Sequence, residues 1–319
     1  MQRARVLITG ASGFVGSTVL RACLGEGRDA VGLVRAGRVG AAAGLPVRSI
    51  EAWNEASLRE AVQGRDAVVH AASVVHRPDA AESEYTRFNV EGTRALVDAC
   101  TAAGVTRLVL LSSIKVYGEA TQGLVLDEAT RVDGERGYAG TKVKAERIVM
   151  EAAALSPVVL RLAPVFGPGD KGNVRTLIRA ITRRRFILPG DGSTRKSLVH
   201  VSTVARVVGA ALDSNATGVF VVADRVAPSM RELTSEIARA TGRGRPLSLP
   251  VPLVRAIARA LTVPLGRRSP VSPDLIDKSL TSSVCAPTKV ESELGVPCHV
   301  DLAEAIREEV AWMRQTGII

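Results

Sequence analysis

The sequence predicts an α/β protein built on a doubly wound parallel sheet, and three observations carry that prediction. A short apolar run ends in three glycines spaced three apart, in Arg5-Val-Leu-Ile-Thr-Gly-Ala-Ser-Gly-Phe-Val-Gly16. Further apolar runs alternate with helical patterns at the spacing of βαβ crossovers. At 319 residues, 46% of them hydrophobic, the chain can bury one large core, alone or with a smaller lobe.

Residues 6–9 read as a strand covered on both faces, because such a strand is a continuous β-branched or leucine run instead of an alternating one. Gly10 then permits a tight turn, Gly13 lets the backbone approach a pyrophosphate, and Gly16 lets the next helix pack close to the strand. The anion is expected on the free N–H groups where that helix, residues 14–24, begins. The helix should end near Gly25 and Gly27, and residues 29–34 should form the second strand. Val34-Arg35-Ala-Gly-Arg38 follows it. A carboxylate here would hold the ribose 2′-hydroxyl of NAD, whereas a guanidinium attracts the 2′-phosphate of NADP. Arg35 and Arg38 therefore predict NADP(H), with NAD as the other possibility.

A short helix at 58–62 precedes the next buried strand at 66–72. Residues 84–103 read as one long helix carrying Asn89-Val-Glu-Gly-Thr93, and 107–111 as a fourth strand running into Ser112-Ser-Ile-Lys-Val-Tyr-Gly118. In a parallel sheet, ligands lie at the carboxyl ends of the strands, where the glycine loop, Ser112 and Ser113 fall. Gly137-Tyr-Ala-Gly-Thr-Lys142 opens a further helix through Glu146 and Met150. A four-residue spacing puts Tyr138 and Lys142 one turn apart on one face. A tyrosine of ordinary pKa near 10 is a poor acid or base at neutral pH, and an adjacent ammonium would lower that pKa.

In the second half, 218–223 reads as a strand and 230–240 as a helix. Residues 247–261 read as an apolar helical stretch with Arg255 and Arg259 on one face. That pattern also suits a membrane surface, but the prolines within it favour an ordinary packed helix. Leu302, Ile306 and Val310 mark a final amphipathic helix. Arg175, Arg179 and Arg183 recur at helical spacing, as on a solvated face.

The net charge of +10 is uneven. Residues 1–160 hold 19 Lys/Arg against 18 Asp/Glu, and residues 161–319 hold 23 against 14. No nucleic-acid recognition motif and no interleaved aromatics accompany this charge, so the second half is expected to receive an anionic small molecule such as a diphosphate. Cys23, Cys100, Cys285 and Cys298 form no C-x-x-C pair, which argues against a zinc site or a disulfide framework, and no metal is expected. No stretch of about 18 uncharged apolar residues exists to span a membrane. The arginine- and alanine-rich usage fits a high-GC bacterial coding sequence, and a cytoplasmic location is expected.

Taken together, Thr9-Gly-Ala-Ser-Gly-Phe-Val-Gly16, His70-Ala-Ala72, Asn89 with Gly92-Thr93, Ser112-Ser113 with Val116-Tyr-Gly118, Tyr138 with Lys142, Arg161 with Phe166-Gly-Pro-Gly169, and Gly190-Asp-Gly192 with Leu198-Val-His-Val201 resemble an extended short-chain dehydrogenase/reductase. The resemblance is to the NAD-dependent epimerase/dehydratase family, in its group that modifies nucleotide-activated sugars, and it covers nearly the whole chain. It implies a Rossmann-type NAD(P)-binding domain at 1–165, with parts of 197–225 returning to it. A smaller C-terminal α/β substrate lobe would occupy mainly 166–319.

The resemblance makes Tyr138 the acid/base, Lys142 the residue that holds the nicotinamide ribose and tunes Tyr138, and Ser113 the ligand of the reacting oxygen. It implies cofactor contacts from Gly10, Ser12, Gly13, Phe14, Val15, Gly16, Arg35, Arg38, Ala71, Ala72, Asn89 and Pro164, besides Tyr138 and Lys142. Lys196, with Arg195 beside it, matches a basic residue that binds sugar-nucleotide phosphates. Lys115 and His76 are expected to line the cleft, His76 without a catalytic role, and Tyr117 to pack or to rim the substrate. Two positions depart from the pattern. Ser197 stands where the family has an aspartate, and Pro164 stands where epimerases often carry asparagine. The expected reaction is NADPH-dependent reduction of a keto-sugar, at C4 of a nucleotide-linked hexose. Alternatives are an NAD-retaining nucleotide-sugar 4-epimerase, a sterol- or flavonoid-type ketoreductase, and a non-catalytic dinucleotide sensor. A homodimer is expected through the helices bearing 91–103 and 138–153.

Overall fold

Strand pleating sorts the apolar run at the start of the chain into two cores. In β1 (Val6–Thr9) Val6 and Ile8 enter one core and Leu7 the other, because successive side chains leave a strand on opposite faces. The same holds in β4 (Ala67–His70), where Val69 and Val68 divide between the same two cores. Burial on both faces is why these strands read as unbroken apolar runs. Truncating one of these side chains, Leu7→Ala for example, would cost about 2–5 kcal/mol.

The computed structural model describes residues 4–75, 82–118, 123–134, 136–265 and 273–319. His76 lies outside them. Between and after β1 and β4 the first half forms α1 (Phe14–Gly25), β2 (Ala30–Arg35), β3 (Val47–Ile50), α2 (Glu55–Val62), α3 (Glu82–Thr86), α4 (Gly92–Ala102), β5 (Arg107–Ser113), β6 (Val125–Leu126) and α5 (Gly137–Glu151). There follow β7 (Val158–Leu162), β8 (Val165–Phe166), α6 (Asn173–Thr182), β9 (Ile187–Pro189), β10 (Val199–His200), α7 (Val201–Asp213) and β11 (Gly218–Val222). The chain ends with α8 (Met230–Thr241), β12 (Leu247–Leu249), α9 (Val251–Leu265), α10 (Pro273–Leu280), β13 (Val284–Cys285), α11 (Thr288–Glu293) and α12 (Leu302–Gln315).

The central sheet has seven strands in the order β11-β7-β5-β4-β1-β2-β3, every pair parallel. This is a Rossmann-type sheet. Its strand order reverses between β1 and β4, so the ligand crevice lies beyond their carboxyl ends. The second half returns to the sheet through β11, which pairs with β7. It is also tied to the connection between α1 and β2 through Arg28, whose guanidinium pairs with Asp213 of α7 at 2.6 Å. A separate core gathers Phe166, Ile178, Leu233, Ile306 and Met313 from β8, α6, α8 and α12.

Among the elements that differ from the sequence reading, three bear on the architecture. β3 adds an edge strand, so β5 is the fifth strand and not the fourth; Arg48 and Ser49 are exposed, which leaves too few apolar positions to announce it. The helix expected over 84–103 is broken by a π-turn, Arg87–Glu91, between α3 and α4. The apolar stretch from 247 splits into β12 and α9, as Pro246 and Pro250 bracket the strand. On the side of α9 that packs, Val254 and Ala258 meet Ile276 of α10. Among the described residues no helix is long and apolar enough to cross a membrane, and no cluster of His, Cys, Asp and Glu could hold a metal ion.

Candidate active site

The cradle for a dinucleotide begins at Gly10, whose φ of +70° closes the turn after β1. A Cβ there would lie 2.7 Å from the amide nitrogen of Ala72, so only glycine lets the loop after β1 touch the loop after β4. At Gly16 a Cβ would collide with the Gly10 carbonyl. Gly13 opens α1 without a side-chain cap, and no acidic residue stands in the first turn. The helix N-terminus is thus left to an external anion, and the residues fit a pyrophosphate. The loop is backed from outside by Ala41, whose N–H donates to Ser12 O at 3.2 Å, and from the second half by Gly169, which sits against the ring of Phe14.

Beneath the crevice, buried polar groups form one chain. The Ala72 N–H donates to Thr9 Oγ1 at 3.2 Å, and Thr9 Oγ1 lies 2.8 Å from His70 Nδ1. His70 Nε2 lies 3.1 Å from Thr93 Oγ1, which itself donates to the Asn89 carbonyl at 2.7 Å. Both hydroxyls therefore have their roles fixed, and His70 must be the neutral tautomer with its proton on Nε2. Burial, helped by the nearby Lys142, holds its pKa down to about 3. Asn89 continues the chain: its amide brackets the Val74 backbone, accepting at 2.8 Å and donating at 3.0 Å, and donates to Thr141 Oγ1 at 3.1 Å. The π-turn is what rotates Asn89 inward from an otherwise helical segment.

Tyr138 and Lys142 occupy the first turns of α5, as their spacing predicts. Lys142 is buried and its Nζ donates to the Leu111 carbonyl at 2.7 Å, which pins α5 to the carboxyl end of β5 two residues before Ser113. Burial pushes the Lys142 pKa down to about 8, partly opposed by Glu146. Burial likewise pushes the Tyr138 pKa up to about 12, with the Ser73 hydroxyl acting against it. The expected lowering of Tyr138 by Lys142 is therefore not what this arrangement contains. The ammonium is committed to a backbone carbonyl, and the phenol instead has Ser73, a residue without a sequence signal beyond its place after β4. Ser113 Oγ accepts the Lys115 N–H at 3.2 Å and caps the short helical turn Ile114–Tyr117.

A second buried group supports this face. Glu146 accepts from Ser112 Oγ and is paired with Arg161 at 2.8 Å; Arg161 also donates to Tyr117 Oη at 3.1 Å. Tyr117 donates in turn to the Asp127 carbonyl at 2.6 Å, so it is a packing residue. Glu146 was legible only as a helix residue one turn beyond Lys142.

The remaining expected residues sit at the rim. Arg35 ends β2 and is exposed, its guanidinium 5.2 Å from the ring centre of Phe88; Arg87 lies over the same ring at 4.9 Å. Arg38, Lys115 and Pro164 are exposed, Pro164 between β7 and β8. Lys196 is half-buried, donates to the Thr281 carbonyl, and has its pKa lowered by burial and then by Lys115, which places the two ammonium groups near each other. Arg195 is turned elsewhere: it donates to the Ala227 carbonyl at 2.8 Å and faces Glu232 at 3.4 Å. Neighbours on an extended segment point apart, which separates the two basic residues. Ser197, buried, accepts the Cys285 N–H at 2.9 Å.

Residues 6–223 match the NAD dependent epimerase/dehydratase family. The chain is 31% identical to a 2-alkyl-3-oxoalkanoate reductase of Stenotrophomonas maltophilia (strain K279a), over 76% of this chain and 77% of the relative. It is 29% identical to a UDP-glucose 4-epimerase of Vibrio cholerae, over 78% and 79% respectively. Among solved structures, MoeE5 in complex with UDP-glucose and NAD superposes with a TM-score of 0.76 at 28% identity, covering 98% of this chain and 99% of that one.

Proposed function

We propose that this chain, which belongs to the NAD dependent epimerase/dehydratase family, is an NADPH-dependent reductase of a keto-sugar, acting at C4 of a nucleotide-linked hexose. Its relatives are oxidoreductases, epimerases and dehydratases of the extended short-chain type. The observation that carries the reductase reading is the end of β2, where exposed Arg35 stands in the place of a ribose-binding carboxylate. Residues 1–165 would hold the cofactor and 166–319 mainly the substrate.

The bound nicotinamide cofactor supplies the hydride. Glycine loop and α1 N-terminus hold its pyrophosphate, and Arg35 with Arg38 takes the 2′-phosphate. Lys142, anchored on the Leu111 carbonyl, presents its remaining N–H groups to the nicotinamide ribose. Tyr138, with its pKa up at about 12, carries its proton at neutral pH, the state required to deliver it to the oxygen of a carbonyl being reduced. Ser113 Oγ donates to the same oxygen as negative charge develops there. Carbonyl, hydride and the Tyr138 proton together make the alcohol, and Ser73 lies where it can help return a proton to Tyr138. Lys196 and Lys115 offer paired positive charge to a diphosphate.

A 4-epimerase is the second reading, favoured by the likeness to a UDP-glucose 4-epimerase and to a structure holding UDP-glucose and NAD. It needs Tyr138 first as base and then as acid, and it retains NAD. Denaturing the purified protein, identifying released nucleotide by mass spectrometry and titrating the emptied protein with NADPH and NADH by calorimetry separates the two. Exchangeable binding with NADPH preferred supports the reductase; tightly retained NAD overturns it in favour of the epimerase.

A further inference from the structure

Most of the positive charge of the second half lies away from the site. Residues 171–190 contain six Lys/Arg and residues 237–273 contain seven arginines, with no Asp or Glu in either stretch. The fold brings the described parts of these stretches together, with Arg239 paired to Glu236 and Arg255 to Asp277. β9 and β12 run parallel in register, Ile187 opposite Leu247, and each is preceded by arginines: Arg183, Arg184 and Arg185 before β9, Arg243 and Arg245 before β12. Arg183, Arg184, Arg185 and Arg243 line an open basin of about 750 Å³ with Thr182 and the last three residues of the chain.

Two further observations separate this patch from an ordinary solvated face. At the end of α6, Arg184 adopts φ +55°, while its N–H donates to the Ile181 carbonyl at 2.9 Å and the Arg185 N–H donates to the Ala180 carbonyl at 2.8 Å. This is a Schellman ending with arginine at the left-handed position, which glycine takes freely and other residues take with strain. α8, which ends beside the same basin, uses Gly242 there. The second observation is apolar. Ile187 is 37% exposed and Leu247 64% exposed, side by side on the paired strands, and Leu253 in the first turn of α9 is 47% exposed. Aliphatic side chains left in solvent beside a basic cluster match the composition of an interfacial surface, in which arginines meet anionic headgroups and leucines enter the acyl boundary. A single-stranded nucleic acid would instead ask for aromatic stacking residues, and the basin is lined by none.

We propose that the paired β9 and β12 strands, with the arginines that precede them and the first turn of α9, form a docking surface for an anionic lipid bilayer. The surface lies within the C-terminal lobe but uses none of the side chains given a cofactor or substrate contact, so it stands or falls independently of the reaction proposed above.

The test is flotation of the full chain with vesicles of phosphatidylcholine alone and of phosphatidylcholine with phosphatidylglycerol, at low and high salt. The intact protein should float with the phosphatidylglycerol vesicles, weakly or not at all with phosphatidylcholine alone, and less as salt rises. Replacing the run together, Arg183→Ser, Arg184→Gly and Arg185→Ser, should lower partitioning about a hundredfold, roughly fivefold per arginine. Arg184→Gly also relieves the strained ending, so thermal melting should not fall. Leu247→Ser should lower partitioning roughly tenfold. Failure to float with phosphatidylglycerol vesicles overturns the proposal, as does flotation that the triple replacement leaves unchanged. Binding that duplex DNA abolishes and that Leu247→Ser does not alter would overturn it too, marking a polyanion site instead.

Discussion

The glycine loop touches two buried polar clusters. Through Gly10 it abuts Ala72 and the chain Thr9, His70, Thr93, Asn89; through Phe14 it abuts Gly169 and the group formed by Asp170, His200 and Glu309. In the first cluster each side chain has a partner at hydrogen-bond distance. In the second, among the described residues, the buried Glu309 carboxyl has no side-chain hydrogen-bond partner and is helped by the Gly167 N–H, and Nε2 of His200 is buried without a hydrogen bond, with Glu308 at 3.6 Å. A matched network made of neutral groups fixes geometry without depending on pH. An unmatched carboxyl can be kept inside only as the neutral acid. The glycine loop is thus backed by a matched neutral network on the first-half side and by a buried carboxyl whose pKa is raised on the second-half side.

The largest effect should come from the point where the matched cluster opens onto the substrate. Tyr138→Phe keeps the ring and removes the proton, and kcat should drop by about 10²–10⁴ while nucleotide binding by calorimetry stays as it was. Retained turnover would move the acid role elsewhere, whereas nucleotide binding with no turnover in either protein would favour the sensor reading. Next is the matched cluster itself. Asn89→Ala strands the Val74 backbone and Thr141 together, and should destabilise the fold by about 2–3 kcal/mol in denaturant unfolding. A loss no larger than that of an average surface replacement would mean that the chain of hydrogen bonds contributes little.

The unmatched cluster should respond in the opposite direction. Burial pushes the Glu309 carboxyl up from 4.5 to about 8, and the Asp170 carboxylate adds to this, while the Gly167 N–H and Arg175 act against it. The folded state then holds a proton that the unfolded state has released between pH 4.5 and about 8. Stability contributed by Glu309 therefore falls as pH rises through that window. Glu309→Gln removes the slope and should stabilise the protein at pH 9 by about 1–2 kcal/mol, with little change at pH 5. Melting temperatures of the pair across this range decide it, and parallel curves would show that Glu309 ionises without penalty.

The contrast also explains what the sequence could disclose. The three spaced glycines, Tyr138 four before Lys142, and Ser113 at a strand end are local patterns, and the fold follows from apolar runs that continue because both faces are covered. Ser73, Glu146 and Glu309 carry no such pattern. Ser73 matters because the β4 loop folds over Tyr138, and Glu146 because Arg161 arrives from β7. Glu309 reads as a polar position on the amphipathic α12 until α12 packs beside the Gly167–Asp170 loop. Arg195 shows the converse: it is adjacent to Lys196 in the chain, and strand alternation turns it toward the Ala227 carbonyl and Glu232.

The smallest expected effect tests how the matched cluster reaches the cofactor's outer end. Asn89 and Phe88 are neighbours in one π-turn, so anchoring Asn89 inward orients Phe88 outward, where its ring lies beneath Arg35 and Arg87. Arg35 is exposed, so the attraction proposed for it toward a 2′-phosphate would be screened by salt and by competing water. Arg35→Ala should therefore raise KM for NADPH only about tenfold, near the lower end of what a charged hydrogen bond contributes, and leave KM for NADH unchanged. The NADPH effect should shrink at high ionic strength. Phe88→Ala should reproduce part of it, because the guanidinium loses the ring that holds it without losing its charge. If KM for NADH rises equally in Arg35→Ala, the arginine supports the adenosine pocket and does not read the phosphate, and the discrimination between the two cofactors must lie elsewhere on that rim.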